Sequence, residues 1–275
     1  IVVWQERTGL PSTCTVQAPQ RPEPHPNLVP VSASSSRSTQ SPSRRAAVTQ
    51  VRTTLSRTAA CSATVPEYDT GMFQPIGKAI QKIAQDELEI HAELDRAGWQ
   101  NANVLGYSMG GLIAGAYAAA RPQRVRRLTL LSTVFRRSPD EARAVLARLE
   151  AAATQDPAAA AQVSLARWFT PDFQARRPER VASIGQRLLR NDRASFLAAY
   201  RVFAQGDPIL AQAAPGIACP ALAMTGEEDV GSTPRMTREL AAALPCGQAR
   251  VVAGQRHMLP VEEPAVVAAA LQAGS

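Results

Sequence analysis

Long hydrophobic runs, paired cysteine motifs and cofactor fingerprints are all missing from this sequence of 275 residues. No stretch approaches the roughly 18 consecutive apolar residues of a membrane-spanning helix, so we expect no membrane partner. The four cysteines, at positions 14, 61, 219 and 246, show neither C-x-x-C nor C-x-x-H spacing, which argues against a zinc or redox site. No phosphate loop, metal cluster or dinucleotide fingerprint occurs, and we therefore expect no cofactor.

A targeting signal is also missing from the start of the sequence. The chain begins with Ile1 rather than Met, and no basic segment followed by an apolar one comes after it. Because the cysteines are scattered as well, we expect a reduced, cytoplasmic location.

Lysine is almost absent, standing only at positions 78 and 82, so arginine supplies nearly all of the positive charge. The formal net charge is +7, and residues 1–66 carry seven Arg against two Glu, an excess of five. A basic tract without interleaved aromatic residues is more often a solvated tail than a nucleic-acid groove. We therefore expect no nucleic-acid partner.

The first 66 residues differ in composition from the rest of the chain. They hold 19 Ser or Thr and eight Pro but one Gly, with neither two-residue alternation nor a helical stripe. Such a composition does not easily build a core. We predict that residues 1–66 form an irregular segment, disordered or aberrant, with positions 1–4 and 28–31 as candidate strands.

The rest of the chain alternates between helical and strand patterns. Short apolar runs predict four strands, at 103–107, 125–131, 220–225 and 249–253. Helical periodicity predicts further elements at 76–94, 109–120, 142–153, 158–168, 178–189, 194–204, 233–244 and 261–271. Strands that alternate with helices predict a mostly parallel sheet in an α/β fold. We divide this part into a core segment (67–135), a helical cap (136–213) and a second core segment (214–275).

The pentapeptide Gly-Tyr-Ser-Met-Gly at positions 106–110 matches the G-x-S-x-G pattern of a nucleophilic serine. It follows a predicted strand and opens a predicted helix, as that motif requires. Gly106 and Gly110 leave room for a strained turn that holds Ser108 clear of the sheet. The backbone N–H of Met109, at the helix N-terminus, is the expected oxyanion donor. A structural glycine-rich turn is the alternative for the motif taken alone.

A serine hydroxyl needs a base to become a nucleophile, and the chain holds three histidines. His25 lies between two prolines, and His91 precedes Asp95 by four residues in a charged helix, where a surface pair is the simpler interpretation. His257 lies in a loop after the last predicted strand, where α/β sheets place their chemistry. We predict His257 as the base, the alternative being a plain loop histidine.

The imidazole of such a base needs a carboxylate to fix its tautomer. The acidic turn after the strand ending at Thr225 offers Glu227, Glu228 and Asp229. We predict Asp229 as the partner, and the two glutamates as capping residues of an ordinary acidic turn.

Residues 101–272 resemble the α/β-hydrolase superfamily, in particular its small esterases and enol-lactonases. The resemblance rests on four segments, NVLGYSMGGLI at 103–113, RPQRV at 121–125, TGEED at 225–229 and HMLPVEEP at 257–264. It implies a mostly parallel sheet with a helical cap, and hydrolysis of a small-molecule ester or lactone without a cofactor. The implied mechanism is acylation of Ser108, followed by attack of water activated through His257.

The N-terminal part departs from this family pattern. The family has a His-Gly motif well before the nucleophile, whose loop donates a second oxyanion amide, but here His25 is followed by Pro26. Residues 68–71 echo the family's next glycine-rich loop only faintly. We hypothesise that residues 1–66 derive from a reading-frame error or a replaced segment. The alternative function is therefore an inactive hydrolase-fold protein, either a binding module or a non-functional product.

The cap segment offers two sets of candidate substrate contacts. Its aromatic residues line an acyl pocket or form the core of the cap; they are Trp168, Phe169, Phe173, Phe196, Tyr200 and Phe203. Its arginines at 176, 177 and 180 attract a carboxylate-bearing substrate or lie on a solvated helix face.

Overall fold

The structure, a computed structural model, describes residues 1–4, 48–50 and 88–273. His25, the candidate strand at 28–31, the loop at 68–71 and the helical pattern before position 88 lie outside these residues. Within the described ranges, no helix is long and apolar enough to cross a lipid bilayer.

One six-stranded sheet organises the molecule, with the strand order β2-β1-β3-β4-β5-β6. Its strands are β1 (Val2–Trp4), β2 (Val48–Gln50), β3 (Ala102–Tyr107), β4 (Val125–Leu131), β5 (Ala221–Gly226) and β6 (Gly247–Val252). Strands β3 to β6 are parallel, whereas β1 runs antiparallel to both β2 and β3. The predicted α/β fold with a mostly parallel sheet is confirmed. Within the segment 1–66, two short stretches thus join the sheet as strands.

Helices connect the parallel strands and fill the region between β4 and β5. The helical residues 88–96 are α1, and the helices after it are α2 (Met109–Ala120), α3 (Pro139–Thr154), α4 (Pro157–Trp168), α5 (Pro171–Arg176), α6 (Pro178–Leu189), α7 (Arg193–Gln205), α8 (Asp207–Ala213), α9 (Pro234–Ala243), α10 (Leu259–Glu262) and α11 (Pro264–Ala273). Helices α3 to α8 all lie between β4 and β5, as the pattern over 136–213 predicts. The domain boundaries themselves stay predictions.

Capping residues explain why several helices begin where they do. Ser138, Asp156, Thr170 and Thr233 each accept a backbone N–H of the first turn, and a proline follows each of them. These side chains satisfy amides that have no partner inside the helix, and proline suits the first helical position. The final helical pattern, predicted as one element, is two helices because Pro264 cannot donate to the turn before it.

The two faces of the sheet bury different sets of side chains. One face packs against α1, α2, α8 and α9 in the larger core cluster, which contains Val104, Leu128 and Ala223. The other face packs against α10 and α11, through Leu131 and Met224. Neighbouring strand residues such as 223 and 224 therefore point to opposite faces. β5 is therefore mostly apolar and buried, whereas the edge strand β6 keeps three exposed residues.

A third cluster holds the inner part of the helical segment together. It contains Leu165, Phe169, Phe173 and Val181, and the two phenylalanine rings are stacked with centroids 5.3 Å apart. Both phenylalanines are buried in this cluster. They therefore belong to the core of the cap, which was one of the two interpretations of these aromatics.

Candidate active site

The predicted nucleophile lies on a sharp turn between β3 and α2. Ser108 has a φ of 54°, in the left-handed region that residues with a side chain rarely adopt. A Cβ atom added at Gly106 would overlap the Gly110 carbonyl and lie 2.6 Å from the Gly111 Cα. Gly106 is thus required by close backbone approach, because the strand and the helix meet at this turn. Strain of this kind is a common property of functional sites.

The two glycines after the serine differ in their surroundings. A Cβ added at Gly110 would lie 3.3 Å from the Ile1 side chain, a tight contact with atoms that can move. A Cβ added at Gly111 would overlap the side chain of Thr133, at the end of β4. The sequence analysis missed Gly111, although the second glycine of the pair was visible there. The absence of a side chain at Gly111 allows α2 to pack directly against the residues that follow β4.

The structure brings Ser108, His257 and Asp229 together from three different strand ends. His257 Nε2 lies 3.1 Å from Ser108 Oγ, and His257 Nδ1 lies 2.7 Å from Asp229 Oδ2. Asp229 is 3% exposed and His257 is 8% exposed, whereas Ser108 is half-buried. The hydroxyl can therefore be reached from outside while the two groups behind it are screened from water.

Asp229 is held by more than the imidazole. Its Oδ1 accepts the backbone N–H groups of Gly231 and Ser232, each at 2.9 Å, and the Thr225 hydroxyl lies 3.3 Å from its Oδ2. Burial acts to raise the pKa of Asp229, but the interaction with His257 and the two amides outweigh it and leave the pKa below its usual value. The carboxylate is therefore ionised at neutral pH, and two fixed amides set the orientation of its plane.

The neighbouring glutamates do not reach the imidazole. Glu227 accepts the backbone N–H of Gly254, and Glu228 pairs with Arg256 at 3.3 Å. Both contacts join the acidic turn after β5 to the loop that carries His257.

Two hydroxyl groups that the sequence analysis missed contact the backbone of His257. The hydroxyl of Tyr107 lies 3.1 Å from the His257 carbonyl oxygen, and Ser132 Oγ lies 3.2 Å from the same oxygen. Tyr107 occupies a variable position of the G-x-S-x-G motif, so the motif gave no signal for it. Ser132 directly follows β4, and only its place at a strand end could have indicated it.

The helical segment contacts the His257 loop from the other side. The Trp168 ring stacks on the imidazole with centroids 6.1 Å apart, and the Met258 amide donates to the Trp168 carbonyl at 3.0 Å. Glu262 accepts the backbone N–H and the hydroxyl of Thr170, at 3.0 and 2.6 Å. The turn between α4 and α5 is thereby fixed to the loop that follows β6.

The Met109 amide stands at the first position of α2, one residue after Ser108. Amides of the first helical turn have no acceptor inside the helix and point towards its N-terminal end. Its place suits the expected oxyanion donor, and its role stays a prediction.

Among the described residues, no group of three or more His, Cys, Asp or Glu side chains could hold a metal ion. His91 lies 3.6 Å from Asp95 on α1, as expected for a surface pair.

Comparison with known proteins places this arrangement in a family. A family model described as "alpha/beta hydrolase fold" matches residues 82–264. The chain belongs to this family. Its place among the α/β hydrolases confirms the resemblance on which the sequence analysis relied, and the matched residues include β3 to β6 and the whole helical segment.

Two curated relatives and one crystal structure give the extent of the similarity. The chain is 36% identical over 173 residues to an (E)-2-((N-methylformamido)methylene)succinate hydrolase of Acinetobacter baylyi, covering 62% of this chain and 64% of that protein. It is 28% identical to 3-oxoadipate enol-lactonase 2 of the same organism, covering 60% of this chain and 61% of that enzyme. Each match thus spans less than two thirds of the relative. The enol-lactonase of Burkholderia xenovorans has a similar structure, with a TM-score of 0.58, 30% identity, and coverage of 69% of this chain and 71% of that one.

Proposed function

We propose that this α/β hydrolase is a serine hydrolase that cleaves carboxylic esters or lactones through an acyl-enzyme on Ser108. The observation that carries the proposal is the unbroken chain of contacts from Ser108 Oγ through His257 to Asp229. Such a chain allows the imidazole to remove the serine proton while the carboxylate stabilises the imidazolium that forms. The enol-lactonase relative supports a lactone substrate, whereas the name of the succinate hydrolase describes an amide that carries two carboxylates.

The reaction needs four proton transfers, two in acylation and two in deacylation, and no cofactor. His257 Nε2 takes the proton from Ser108 Oγ as that oxygen attacks the carbonyl carbon, and the Met109 amide donates to the developing oxyanion. When the tetrahedral intermediate collapses, the imidazolium gives the proton to the departing alkoxide oxygen. Water then attacks the acyl-serine and gives one proton to His257, which returns it to Ser108 Oγ. A lactone follows the same steps, except that its alcohol remains joined to the acyl group.

A group of arginines inside the helical segment supports an anionic substrate. Within the described residues, Arg137 Nη2 and Arg148 Nε are buried and have no hydrogen-bond partner. Burial and the charge of Arg148 both lower the pKa of Arg167, which bonds to Tyr200 and also interacts with Asp229. The three arginines are half-buried, and guanidinium groups that repel one another and keep buried N–H groups unpaired provide a place for a carboxylate.

Arg137, Arg148 and Arg167 are thus the proposed contacts for a substrate carboxylate. They take the place of the arginines at 176, 177 and 180, which the sequence suggested for this role. Arg176 pairs with Asp172 at the surface, and Arg180 lines an open groove on the outside of α6. Arg167, in contrast, directly precedes Trp168, whose ring lies on His257. The carboxylate of the substrate is therefore proposed to point towards Arg148 and Arg167 while the ester or lactone carbonyl lies at Ser108.

The first experiment compares the protein with its Ser108→Ala variant on p-nitrophenyl acetate and butyrate. A matched control is Ser164→Ala, because that hydroxyl only donates to a carbonyl within α4. We expect turnover and fluorophosphonate labelling to be lost with Ser108→Ala and kept with Ser164→Ala. Equal background rates and no labelling in all three proteins would instead favour an inactive hydrolase-fold protein.

A second experiment tests the anionic part of the substrate. We expect Arg148→Met to lower kcat/KM about tenfold or more for p-nitrophenyl hydrogen succinate, because a charge-assisted hydrogen bond is lost. The same variant should leave p-nitrophenyl butyrate unchanged. Arg143→Met is the control, since Arg143 pairs with Asp140 on the exposed side of the same helix. Equal losses on both esters would argue against a carboxylate site.

A further inference from the structure

The carbonyl oxygen of His257 accepts hydrogen bonds from two side chains of the core. Tyr107, the last residue of β3, donates at 3.1 Å, and Ser132, the residue after β4, donates at 3.2 Å. A carbonyl oxygen has two lone pairs, and these two hydroxyls can occupy both. The single proton of the Tyr107 hydroxyl is shared between this oxygen and Met258 Sδ. Glu227 and Glu228 bind the same loop at its beginning.

Tyr107 also contacts the residue after the histidine. Its hydroxyl oxygen lies 2.9 Å from Met258 Sδ, and its ring lies 5.3 Å from the imidazole between centroids. Burial, with smaller contributions from the charges of Asp229 and Glu262, raises the pKa of Tyr107 well above its usual value. The hydroxyl is therefore protonated at neutral pH, where it can donate a hydrogen bond.

The positions of these donors relate directly to the geometry of the base. Tyr107 and Ser108 are consecutive, so the strand that carries the nucleophile also binds the backbone of the histidine. Asp229 holds the imidazole through Nδ1 at 2.7 Å, and the rings of Tyr107 and Trp168 flank it. The hydrogen bonds to the His257 carbonyl fix the backbone from which this side chain extends. A shift of that backbone would move Nε2 away from Ser108 Oγ, where small displacements have a large effect on rate.

We propose that Tyr107 is a positioning residue, which acts with Ser132 to hold the His257 backbone so that Nε2 faces Ser108. This inference rests on the proposed function, in which His257 is the base. Tyr107 does not touch the reacting atoms, and its effect passes through the carbonyl of His257. The α/β hydrolases need a small turn at this motif, but nothing in the turn itself requires a hydroxyl at position 107.

The test uses the whole chain with Tyr107→Phe, Ser132→Ala and the double variant. Tyr117→Phe is the matched control, because it removes a buried tyrosine hydroxyl from α2 in the larger core cluster. For each protein, kcat and KM are measured on p-nitrophenyl acetate, and kcat is calculated per site that fluorophosphonate labels, so misfolded protein does not count. We expect kcat to fall about tenfold with Tyr107→Phe while KM changes less than about twofold. The double variant should lose less than the product of the single losses, because both donors serve one oxygen.

A spectroscopic measurement separates positioning from a merely structural effect. The proton between His257 Nδ1 and Asp229 should give a downfield ¹H resonance in the unmodified protein and in Tyr117→Phe. In Tyr107→Phe we expect that resonance to broaden or shift, because the imidazole gains freedom. An unchanged resonance with unchanged kcat per labelled site would overturn the inference alone. Absence of Ser108-dependent labelling in the unmodified protein would overturn the proposed function, and this inference with it.

Discussion

Replacing Asp229 with asparagine tests the proposed triad most directly, because the structure fixes how the new side chain must lie. Oδ1 of Asp229 accepts two backbone amides at 2.9 Å, from Gly231 and Ser232. An asparagine amide group cannot accept those bonds with its NH₂, so its carbonyl oxygen has to take the Oδ1 position. The NH₂ group then faces His257 Nδ1, where the carboxylate oxygen lies at 2.7 Å in the unmodified protein.

This orientation gives the imidazole the wrong tautomer. Nδ1 must accept a hydrogen bond from the new NH₂ group, so the ring proton moves to Nε2. Nε2 can then no longer accept the proton of Ser108 Oγ. Both the base and the stabilisation of the imidazolium are lost, and comparable changes in serine enzymes lower kcat by about 10⁴-fold. At about 1.36 kcal/mol for each factor of ten, this corresponds to about 5.5 kcal/mol of transition-state stabilisation.

The assay measures kcat and KM on p-nitrophenyl butyrate, together with the rate of fluorophosphonate labelling. We expect kcat and the labelling rate to fall together while KM stays within about threefold, because substrate binding does not involve Asp229. Asp172→Asn is the control, since it makes the same chemical change in an exposed pair with Arg176. An Asp229→Asn variant that keeps its rate within about tenfold of the unmodified protein would refute the assignment of Asp229.

Three further predictions concern stability. Gly106→Ala should lower the free energy of unfolding in urea by about 1–3 kcal/mol, because the new Cβ overlaps backbone; Gly216→Ala, with open space around it, should be nearly neutral. Since the folded state lowers the pKa of Asp229 below its ordinary value of 3.8, its carboxylate should stabilise the fold above that pH and lose this contribution as the pH falls through the lower value. The difference in unfolding free energy between the unmodified protein and Asp229→Asn should therefore be constant from pH 7 down to 3.8 and shrink below it; a difference that stays constant below 3.8 would show that the shift is absent. Glu262→Ala should lower the unfolding free energy by about 1–3 kcal/mol, because the backbone N–H and the hydroxyl of Thr170 both lose their acceptor; no change would show that the turn between α4 and α5 is held by other contacts.

Local sequence patterns predicted most of the fold. Together with the rule that parallel strands end at one edge of the sheet, they also predicted the roles of Ser108, Asp229 and His257. The motif around Ser108 was visible because strand, turn and helix are consecutive in sequence. Asp229 and His257 followed from their positions after predicted strands, since parallel strands end at one edge of the sheet. The helical segment was visible from periodicity over α3, α4, α6 and α7, whereas α5 and α8 are too short to show a period.

The contacts that lie far apart in sequence could not be predicted in this way. Nothing local to Tyr107 or Ser132 indicates that both meet the His257 carbonyl, 150 and 125 residues further along the chain. The stacking of Trp168 on the imidazole likewise depends on how the helical segment packs. The antiparallel pairing of β1 with β3 was invisible, because a strand of three residues carries no pattern that fixes its direction. The division of the last helix was visible in principle, since Pro264 stands within its pattern.

The number of oxyanion donors determines how fast a working triad turns over esters. The described residues offer one candidate donor, the Met109 amide, and the removal of one donor from such a site typically lowers kcat by about 10²- to 10³-fold. A fluorophosphonate needs only one attack by an activated Ser108, whereas ester turnover needs an oxyanion in both acylation and deacylation. With one donor, the protein should therefore label completely but turn over esters slowly. A second amide supplied from elsewhere in the chain would restore turnover without changing the labelling stoichiometry. Because phosphonylation is irreversible, it reaches completion even when it is slow. Comparing the labelled fraction with the ester turnover rate on the same sample therefore distinguishes an incomplete oxyanion site from the absence of an activated Ser108.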